Sequence, residues 1–383
     1  MTILNSLRLA FKGGAAAGRP RLARWFSSPW GASFTDDAPF SYDGAIRAGY
    51  ERNPVAQRAV RLVAEGVGGA PVESAAPGLA SLANASSAGQ RLFETVAAQL
   101  LLHGNAYVQI LRGADGGVAE LFALRPDRVT ILPDARGWPA SYHYRAGDAV
   151  EAIDAIGPDG RPQIIHIKGF HPLDDHYGLG CLGAAAEAIA VHNAATRWNR
   201  ALLDNAARPS GALVYDPGDG STLSPEQFAR LKAELEGAYQ GPGNSGRPML
   251  LEGGLSWQAM ALSPADMDFA GLKEAAAREI ALAFGVPPML LGLPGDNSYA
   301  NYREANKALW RLTLLPLVQT ICEAIGQGLA DWYPGAALDV AIDRVPALSE
   351  DRERLWSSVT AADFLSREEK RAMLGLTPEE ETI

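Results

Sequence analysis

Two consecutive prolines, Pro287 and Pro288, constrain the fold of this chain more than any other feature of its sequence. Each proline fixes its own φ angle and lacks a backbone N–H, so one continuous helix cannot pass through the pair. Helical patterns lie on both sides, over residues 264–284 and 299–332. The sequence therefore predicts a helix, a joint over residues 285–298 and a second helix.

The joint combines two kinds of side chain. An apolar lip, residues 289–291, precedes small polar residues from Gly295 to Ser298. This pairing is typical of a mobile element that presses against a partner surface. In the helix that follows, Pro316 predicts a kink, because a proline removes one hydrogen bond and crowds the preceding turn.

Composition narrows the function classes. The chain has 383 residues, 47% of them hydrophobic, which is enough to bury one large core or several smaller ones. Its 34 basic and 44 acidic residues give a net charge of −10, whereas a protein that grips nucleic acid is normally basic. This balance argues against a clamp on DNA and permits a conduit. Cys181 and Cys322 lack a C-x-x-C motif, which predicts two buried thiols rather than a disulfide or a zinc site.

The first residues predict an exposed arm. Residues 1–26 contain Arg and Lys but no acidic residue, and Arg8 interrupts their apolar patch, so no signal peptide is predicted. A flexible basic arm over residues 1–40 is the favoured interpretation, and a transit-like amphipathic segment remains an alternative. The chain has no run of about 18 uncharged apolar residues, so no membrane span is predicted.

The rest of the chain predicts an α+β fold. Asn53 is placed to cap a helix, and short strands between Gly and Pro turns over residues 105–170 predict a mostly antiparallel sheet. A strand–helix–strand insert follows over residues 211–262, and its helix has Ser224 and Gln227 spaced as a capping box.

The helix over residues 264–284 is predicted to be amphipathic. Charged residues, including a Glu274–Arg278 pair at i, i+4 spacing, lie on one face. The opposite, apolar face is predicted to contain Phe269, Leu272, Ala276, Ile280 and Ala283.

One motif resembles a dinucleotide site. Residues 178–183 spell GLGCLG, which matches G-x-G-x-x-G. Seven residues separate the preceding strand, which ends at Phe170, from Gly178, and Asp204 lies within a helical pattern instead of ending a second strand. The glycines are therefore predicted to form a turn and to let the next helix start close to a neighbouring backbone.

Two further groups of residues predict no metal site and no hydrolase site. The potential ligands His166, His171, Asp174, Asp175 and His176 lack any established metal-binding spacing, so no metal is predicted. The chain contains neither a G-x-S-x-G elbow nor a Walker A motif, so this chain is not expected to hydrolyse ATP. Any ATP-driven motor that works with it is expected to be a separate protein.

A helix-to-strand corner near residue 104 has a structural interpretation. Gly104 is predicted to cap the helix, and Asn105 is predicted to bond local backbone.

An ordered series of motifs resembles the portal proteins of tailed double-stranded DNA phages, of the Hong Kong phage ninety-seven type. Each motif is weak alone, but the order is specific. The motifs extend from Asn53 to Trp332 and include NPVAQRAV, LLLHGNAYVQI, LRPDRVTI, DDHYGLGCLGAAAEAI, DNAARPSGAL, LSPEQFARLK, GPGNSGRPMLLEGG and FGVPPMLLG. Members of that family form a dodecameric ring at one capsid vertex. The resemblance thus implies a DNA channel without enzymatic activity or a cofactor.

The resemblance also implies a domain order. It predicts a portal fold with an α/β wing, a two-helix stem, a strand–helix–strand clip and a crown that is short, as in portals of bacterial gene transfer agents. The implied segments are an arm at 1–40, a wing at 41–178, stem helices at 179–208 and 264–284, a clip at 209–263, a tunnel loop at 285–298, a kinked helix and strand returning to the wing at 299–345, and the crown at 346–383.

Site residues follow from the same resemblance. The DNA constriction would consist of Leu290, Leu291, Gly292, Asp296, Asn297, Ser298 and Tyr299. The stem channel would be lined by Lys273, Glu274 and Arg278, whose weak, repeated contacts guide DNA without holding it. The clip would contact the terminase and the adaptor through Glu234, Tyr239, Asn244 and Arg247.

The implied partners are further copies in a homo-oligomer, expected to be a dodecamer, the large terminase, the head-completion adaptor, the major capsid protein and double-stranded DNA, with no membrane. The implied location is the capsid vertex of a virion or virion-like particle assembled in the bacterial cytoplasm. Two alternatives remain open: a cytosolic enzyme that uses the GLGCLG turn or the His/Asp cluster for a nucleotide or a metal, and another ring component of a phage tail or connector.

Overall fold

The computed structural model describes residue 22 and residues 41–87, 89–204, 211–218, 222–239, 254–259, 268–294 and 298–374. The chain divides into a larger unit, residues 1–185 and 281–383, and a smaller unit, residues 186–280. The predicted arm lies outside the described residues except for Leu22, whose N–H donates to the carbonyl oxygen of Arg136 at 3.1 Å.

The described α-helices are α1 Tyr42–Ala45, α2 Pro54–Gly68, α3 Pro77–Ala83, α4 Leu92–His103, α5 Cys181–Ala184, α6 Ala186–Asp204, α7 Pro225–Tyr239, α8 Phe269–Ala283, α9 Tyr299–Leu309, α10 Leu315–Gly328, α11 Ser349–Ala361 and α12 Arg367–Met373. The described strands are β1 Val72–Ser74, β2 Ser86–Ser87, β3 Gln90–Arg91, β4 Asn105–Arg112, β5 Val118–Leu124, β6 Val129–Pro133, β7 Pro139–Ala146, β8 Ala149–Asp154, β9 Ile164–Lys168, β10 Gly211–Tyr215, β11 Leu255–Ala259 and β12 Leu338–Val340.

Two three-stranded sheets form the centre of the larger unit. Their strand orders are β5-β4-β9 and β6-β7-β8, and each neighbouring pair is antiparallel, as the sequence predicted. A core cluster contains Tyr107 of β4, Ile131 of β6 and Tyr142 of β7 together with Tyr177, whose hydroxyl accepts the N–H of Ile131 at 3.1 Å. Burial of these aromatic rings therefore draws on both sheets and on the segment after β9.

Helices pack beside this core. α2 packs against α4, and α10 packs against β9 and β12. The Oδ1 atom of Asn53 accepts the N–H groups of Val55 and Ala56 at 3.1 and 3.0 Å, which confirms the predicted cap of α2. β12, which follows α10, pairs antiparallel with β1, so a strand from the end of the larger unit is hydrogen-bonded to one from its beginning.

The helix after the joint differs from the prediction. It contains α9, a π turn at Trp310–Leu314 and α10, and it ends at Gly328 instead of near Trp332. Pro316 lies in the first turn of α10, where a missing N–H costs least, and the wider π turn directly precedes it. Where the sequence predicted a kink at Pro316, the structure has a π turn just before that residue.

The run Tyr299–Gly328 is long and apolar enough to cross a membrane by length and composition, with a mean hydropathy of 1.3 in its best window. The expectation that the chain has no membrane span stays a prediction, because this test considers length and composition only. Val318, Ile321 and Ile325 of this run are fully buried within the larger unit, so we interpret α10 as a core helix. Cys322 is buried beside them, as expected, whereas Cys181 is only half-buried, and both thiols are free.

The smaller unit contains α6, α7, most of α8 and the antiparallel pair β10–β11. The capping box of α7 is confirmed: Ser224 Oγ accepts the N–H of Gln227 at 3.2 Å, and Gln227 Oε1 accepts the N–H of Ser224 at 2.9 Å. The single helix predicted over residues 179–208 is divided at Ala185 into α5 and α6.

The apolar face predicted for α8 is only partly right. Ala276 and Ile280 are buried, but Leu272 is 47% exposed. Ala277 is buried instead. The buried residues Ala276, Ala277, Ile280 and Ala281 recur at i, i+1, i+4 and i+5 and so form one stripe, and Leu272 lies one turn before this stripe begins.

Candidate functional site

The joint between α8 and α9 begins from a firm anchor. Phe284 and Val286 are 1% and 3% exposed, and the N–H of Val286 donates to the carbonyl oxygen of Ala281 at 2.9 Å. Gly285, between them, has a φ of 65°, a conformation that glycine adopts without strain. Its carbonyl oxygen accepts the hydroxyl of Thr313 at 2.6 Å. Thr313 belongs to the π turn, so this bond joins the start of the joint to the middle of the following helix.

The double proline is followed by a tight turn. Pro288–Leu291 forms a 3₁₀ turn, and Gly292 ends it with a φ of 73°. Leu290 and Leu291 are half-buried in this turn, whereas Gly292 and Ser298 are exposed. Asp296 and Asn297 lie outside the described residues. The structure therefore describes the two edges of the predicted constriction.

The far edge of the joint is the start of α9. Ser298 Oγ accepts the N–H of Asn301 at 3.2 Å, which caps the helix. Tyr299, the first helical residue, is 79% exposed, and the guanidinium of Arg303 lies 5.8 Å from the centroid of its ring. Tyr299 is thus a large, accessible aromatic side chain placed by a capped helix end.

Ion pairs connect α9 to α11. Glu350 of α11 accepts Arg303 Nη1 at 2.8 Å through one oxygen and Lys307 Nζ at 3.3 Å through the other. Glu304 lies 3.5 Å from the same Lys307 nitrogen. We call Arg303, Glu304, Lys307 and Glu350 the Glu350 clamp. Because the side chain of Lys307 is 8% exposed, its charge needs these carboxylates. The clamp fixes the helix that begins at the joint.

The predicted stem residues lie in the smaller unit. Arg278 Nη2 bonds Glu274 Oε1 at 2.7 Å, which confirms the predicted i, i+4 pair, and Lys273 is half-buried one residue before Glu274. The pair leaves this part of α8 close to neutral. A surface of this kind offers phosphate groups weak contacts only.

The predicted clip contacts are described less fully. Glu234 and Tyr239 lie in α7, although their side chains are outside the described part of the chain. Asn244 and Arg247 are outside the described residues altogether. Their assignment remains a prediction from the resemblance.

The GLGCLG turn has a packing role. A Cβ atom on Gly178 would overlap the carbonyl oxygen of Gly104 and would lie 2.6 Å from the nitrogen of Gly169. A Cβ atom on Gly180 would lie 2.8 Å from the nitrogen of Gly104. These approaches confirm that Gly178 and Gly180 let the segment before α5 pass close to a neighbouring backbone, whereas no atom lies within 4 Å of the Cβ position of Gly183.

A buried amide holds that segment. Asn105 Oδ1 accepts the N–H of Gly178 at 2.7 Å, and Asn105 Nδ2 donates to the carbonyl oxygen of Gly178 at 3.2 Å. Because a backbone N–H requires an acceptor and a carbonyl oxygen requires a donor, these two partners determine which atom of the amide is Oδ1 and which is Nδ2. Nδ2 then donates to Nδ1 of His103 at 3.2 Å, and Oδ1 accepts from Nε2 of His166 at 3.0 Å. We call Asn105, Gly178, His103 and His166 the Asn105 network.

Asn105 makes the predicted bond to local backbone, since Nδ2 also donates to the carbonyl oxygen of His103 at 3.4 Å, and the network adds shorter bonds to Gly178, 73 residues away. The network also requires a neutral His103, because this imidazole accepts at Nδ1, and it places a proton on Nε2 of His166. Burial lowers the pKa of His103 to about 4, although the charge of Asp127 opposes the shift. Burial, followed by the charge of Lys168, lowers the pKa of His166 to about 3.

The other members of the His/Asp cluster have structural contacts. Asp174 Oδ1 accepts the N–H groups of His176 and Tyr177 at 2.7 and 2.9 Å, and His171 Nδ1 accepts the N–H of Leu173 at 3.1 Å. Among the residues that the structure describes, no three His, Cys, Asp or Glu side chains are grouped to hold a metal ion. The contacts observed in this cluster shape the loop after β9.

Comparison with known proteins decides the family. The sequence model described as "Phage portal protein" matches residues 54–375. The chain belongs to the phage portal protein family. Portal proteins are structural components of particles, and the mixed helix-and-sheet fold predicted from the resemblance is confirmed by the solved relatives.

Two solved structures are similar to this portal-family chain. A chain from a structure described as "Neck of native GTA particle computed with C12 symmetry" is 48% identical, with a TM-score of 0.69, covering 88% of this chain and 94% of that chain. A portal protein of the HK97 family from Corynebacterium diphtheriae is 17% identical, with a TM-score of 0.57, covering 80% and 98%. The second likeness concerns the fold alone.

Sequence relatives of this portal-family chain include a Rickettsia felis protein described as "Uncharacterized protein". It is 41% identical over 344 residues, which cover 86% of this chain and 88% of that protein. The "Probable portal protein" of Streptomyces phage phiC31 is 27% identical over 292 residues, which cover 73% and 62%.

Proposed function

We propose that this chain is the subunit of a portal ring at the capsid vertex of a phage-like particle, and that double-stranded DNA passes through the ring during packaging and exit. The observation that carries the proposal is the 48% identity to a chain from the neck of a gene transfer agent particle, over 88% of this chain and 94% of that one. The C12 symmetry of that neck supports a dodecamer here. The high coverage supports a particle of the gene transfer agent type.

The joint would supply the constriction of the channel. Its start is anchored by buried Phe284 and Val286, and its end is fixed by the cap on α9 and by the Glu350 clamp. The residues between, with Leu290, Leu291 and Gly292 on one edge and Ser298 and Tyr299 on the other, would meet the DNA. Asp296 and Asn297 complete this proposed loop.

The charge pattern supports movement of DNA through the ring. Each phosphate that a protein neutralises strengthens its hold on DNA, and the cost of release grows with the number of such contacts. Arg278 is already paired with Glu274, and the whole chain has a net charge of −10. We infer that a stem lined by Lys273, Glu274 and Arg278 guides DNA without retaining it.

The smaller unit would provide the docking site for other particle proteins. We propose that the clip, with Glu234, Tyr239, Asn244 and Arg247, meets the large terminase and later the head-completion adaptor, and that the larger unit meets the major capsid protein. The motor activity is assigned to the terminase, and we propose no catalytic residue, metal or cofactor in this chain.

A loop deletion tests the proposed function. Removing Asp296 to Ser298 is expected to leave rings visible by negative-stain electron microscopy and to reduce the DNA content of purified particles. Ser298 caps α9, so the Ser298→Ala variant serves as the control that loses the cap but keeps the loop. Normal DNA content in the deletion variant would contradict the loop assignment, and failure of the wild-type chain to form rings, alone or in particles, would contradict the portal function itself.

A further inference from the structure

The loop after β9 presents an apolar tip to solvent. Phe170 and Leu173 are each 87% exposed, and Pro172 between them is also exposed. No Asp, Glu, Lys or Arg lies between Gly169 and Leu173. We call residues 170–173 the FHPL tip. Depletion of charge around an exposed aromatic side chain is typical of the centre of a protein interface.

The base of the tip is rigidly held. Before the tip, the N–H of Gly169 donates to the carbonyl oxygen of Gly104 at 2.8 Å, and Lys168 Nζ donates to the carbonyl oxygen of Asp175 at 2.5 Å. After the tip, Asp174 Oδ1 accepts two backbone N–H groups, and Gly178 is held on both its N–H and its carbonyl by Asn105. Both ends of the loop are therefore fixed to the larger unit.

Hydrogen bonding also continues within the tip. The N–H of Leu173 donates to Nδ1 of His171 at 3.1 Å, which turns the backbone between the two apolar side chains. A loose loop could fold Phe170 and Leu173 against the protein and reduce their contact with water. This loop is instead held so that both side chains project outward. A partner that covers them would bury apolar area without first having to order the loop.

We propose that the FHPL tip is the anchor by which one copy of this chain docks against a second copy in the ring. The proposal rests on the proposed portal function. A closed ring requires each copy to present two different surfaces, one of which contacts the next copy and one the previous copy. Self-association is also the partnership that the twelvefold symmetry of the related neck supports. An exposed aromatic residue on a rigid base is suited to one side of such a contact, since a few residues of this type dominate interface energy.

The test compares ring formation by two variants of the full chain. The Phe170→Ser/Leu173→Ser variant is expected to form rings about tenfold less at matched concentration, as counted by mass photometry and negative-stain electron microscopy. Its melting temperature as a monomer is expected to match that of the wild type, because both side chains are exposed. The control is Phe364→Ser, which removes an equally exposed phenylalanine, also 87% exposed, between α11 and α12. Ring formation by the double variant at the wild-type level would overturn the proposal.

A second measurement identifies the partner directly. Phe170 is replaced by the photoreactive p-benzoylphenylalanine, and purified particles are irradiated and analysed by mass spectrometry. Crosslinks from position 170 to a second copy of this chain are expected. Crosslinks solely to another particle protein, or none, would overturn the proposal. If the wild-type chain forms no ring in any preparation, the proposed portal function fails, which is a distinct result.

Discussion

The Asn105 network and the Glu350 clamp both fix a segment of the larger unit, and they do so with opposite chemistry. In the network, Asn105 is fully buried, and its partners are neutral imidazoles and a glycine backbone. In the clamp, two cations share one carboxylate, and Glu350 and Arg303 are 43% and 41% exposed. The first holds the loop that ends in α5, and the second holds the helix that begins at the joint.

The Asn105 network and the Glu350 clamp are therefore expected to respond differently to salt and to pH. Buried neutral hydrogen bonds are screened little by salt, but they depend on close backbone approach and on neutral histidines. Partly exposed ion pairs are screened by salt and tolerate small shifts. The segment before α5 is therefore built for a single arrangement, whereas the partly exposed Arg303–Glu350 pair of α9 can open at a modest cost. This contrast suits the proposed function, in which the wing stays fixed and the joint moves during DNA passage.

The largest expected effect is that of Gly178→Ala on the network. The new methyl group would overlap the carbonyl oxygen of Gly104 and approach the backbone of Gly169, so the hydrogen bonds of Asn105 with residue 178 could not both form. We expect a loss of about 4 kcal/mol in the free energy of unfolding, measured by urea denaturation. Gly183→Ala is the matched control, because no neighbouring atom lies within 4 Å of its Cβ position, and it is expected to change stability by less than about 1 kcal/mol. Equal stability of the two variants would contradict the packing role of Gly178.

The second-largest expected effect is the loss of stability of the Asn105 network at acidic pH. The pKa of His103 is about 4 in the folded chain, against an ordinary value of 6.5, so the unfolded chain binds the proton more tightly. Its contribution is complete above pH 6.5 and is lost as the pH falls towards 4, by up to about 1.4 kcal/mol per pH unit. Denaturation curves at pH 7 and pH 5 measure this loss. The pH dependence should lessen in His103→Gln and persist in His143→Gln, which alters a histidine outside the network, and unchanged midpoints in the wild type would refute the prediction.

The smallest expected effect is that of Glu350→Gln on the clamp. Lys307 keeps Glu304 at 3.5 Å, and Arg303 is partly exposed, so the expected loss is about 1 kcal/mol and should shrink in high salt. Glu353→Gln, a substitution on the same helix at a residue with no ion pair in the described part of the chain, is the control. A large loss in the free energy of unfolding that does not change with salt would contradict this prediction, because it would show that the clamp, like the Asn105 network, is not screened by salt.

Local signals were predictable from sequence, and long-range contacts were not. The caps at Asn53 and Ser224 were predicted because each capping side chain and its backbone partner lie within three residues. The close approach at Gly178 was also predicted in kind, since glycine is the residue that permits it. Its partner Asn105 lies 73 residues away, and no local pattern specifies that pairing.

The errors have a common physical source. Periodicity placed Leu272 on an inward face, but burial along that face of α8 begins only one turn later, at Ala276. Pro316 indicated an interruption without indicating its form, because a kink and a π turn both accommodate a missing N–H. In the candidate site, the position of the joint followed from its prolines, whereas the Glu350 clamp joins elements whose contact depends on the whole fold.

The hydrogen bond from Thr313 to Gly285 has a mechanical consequence. It closes the chain between these residues into a loop that is fastened at its base. A pull on the middle of the joint would load this bond and the Glu350 clamp first, since both lie along the chain next to the joint. The Asn105 network lies outside that stretch of chain, so the loop before α5 would not be among the first segments to bear the tension.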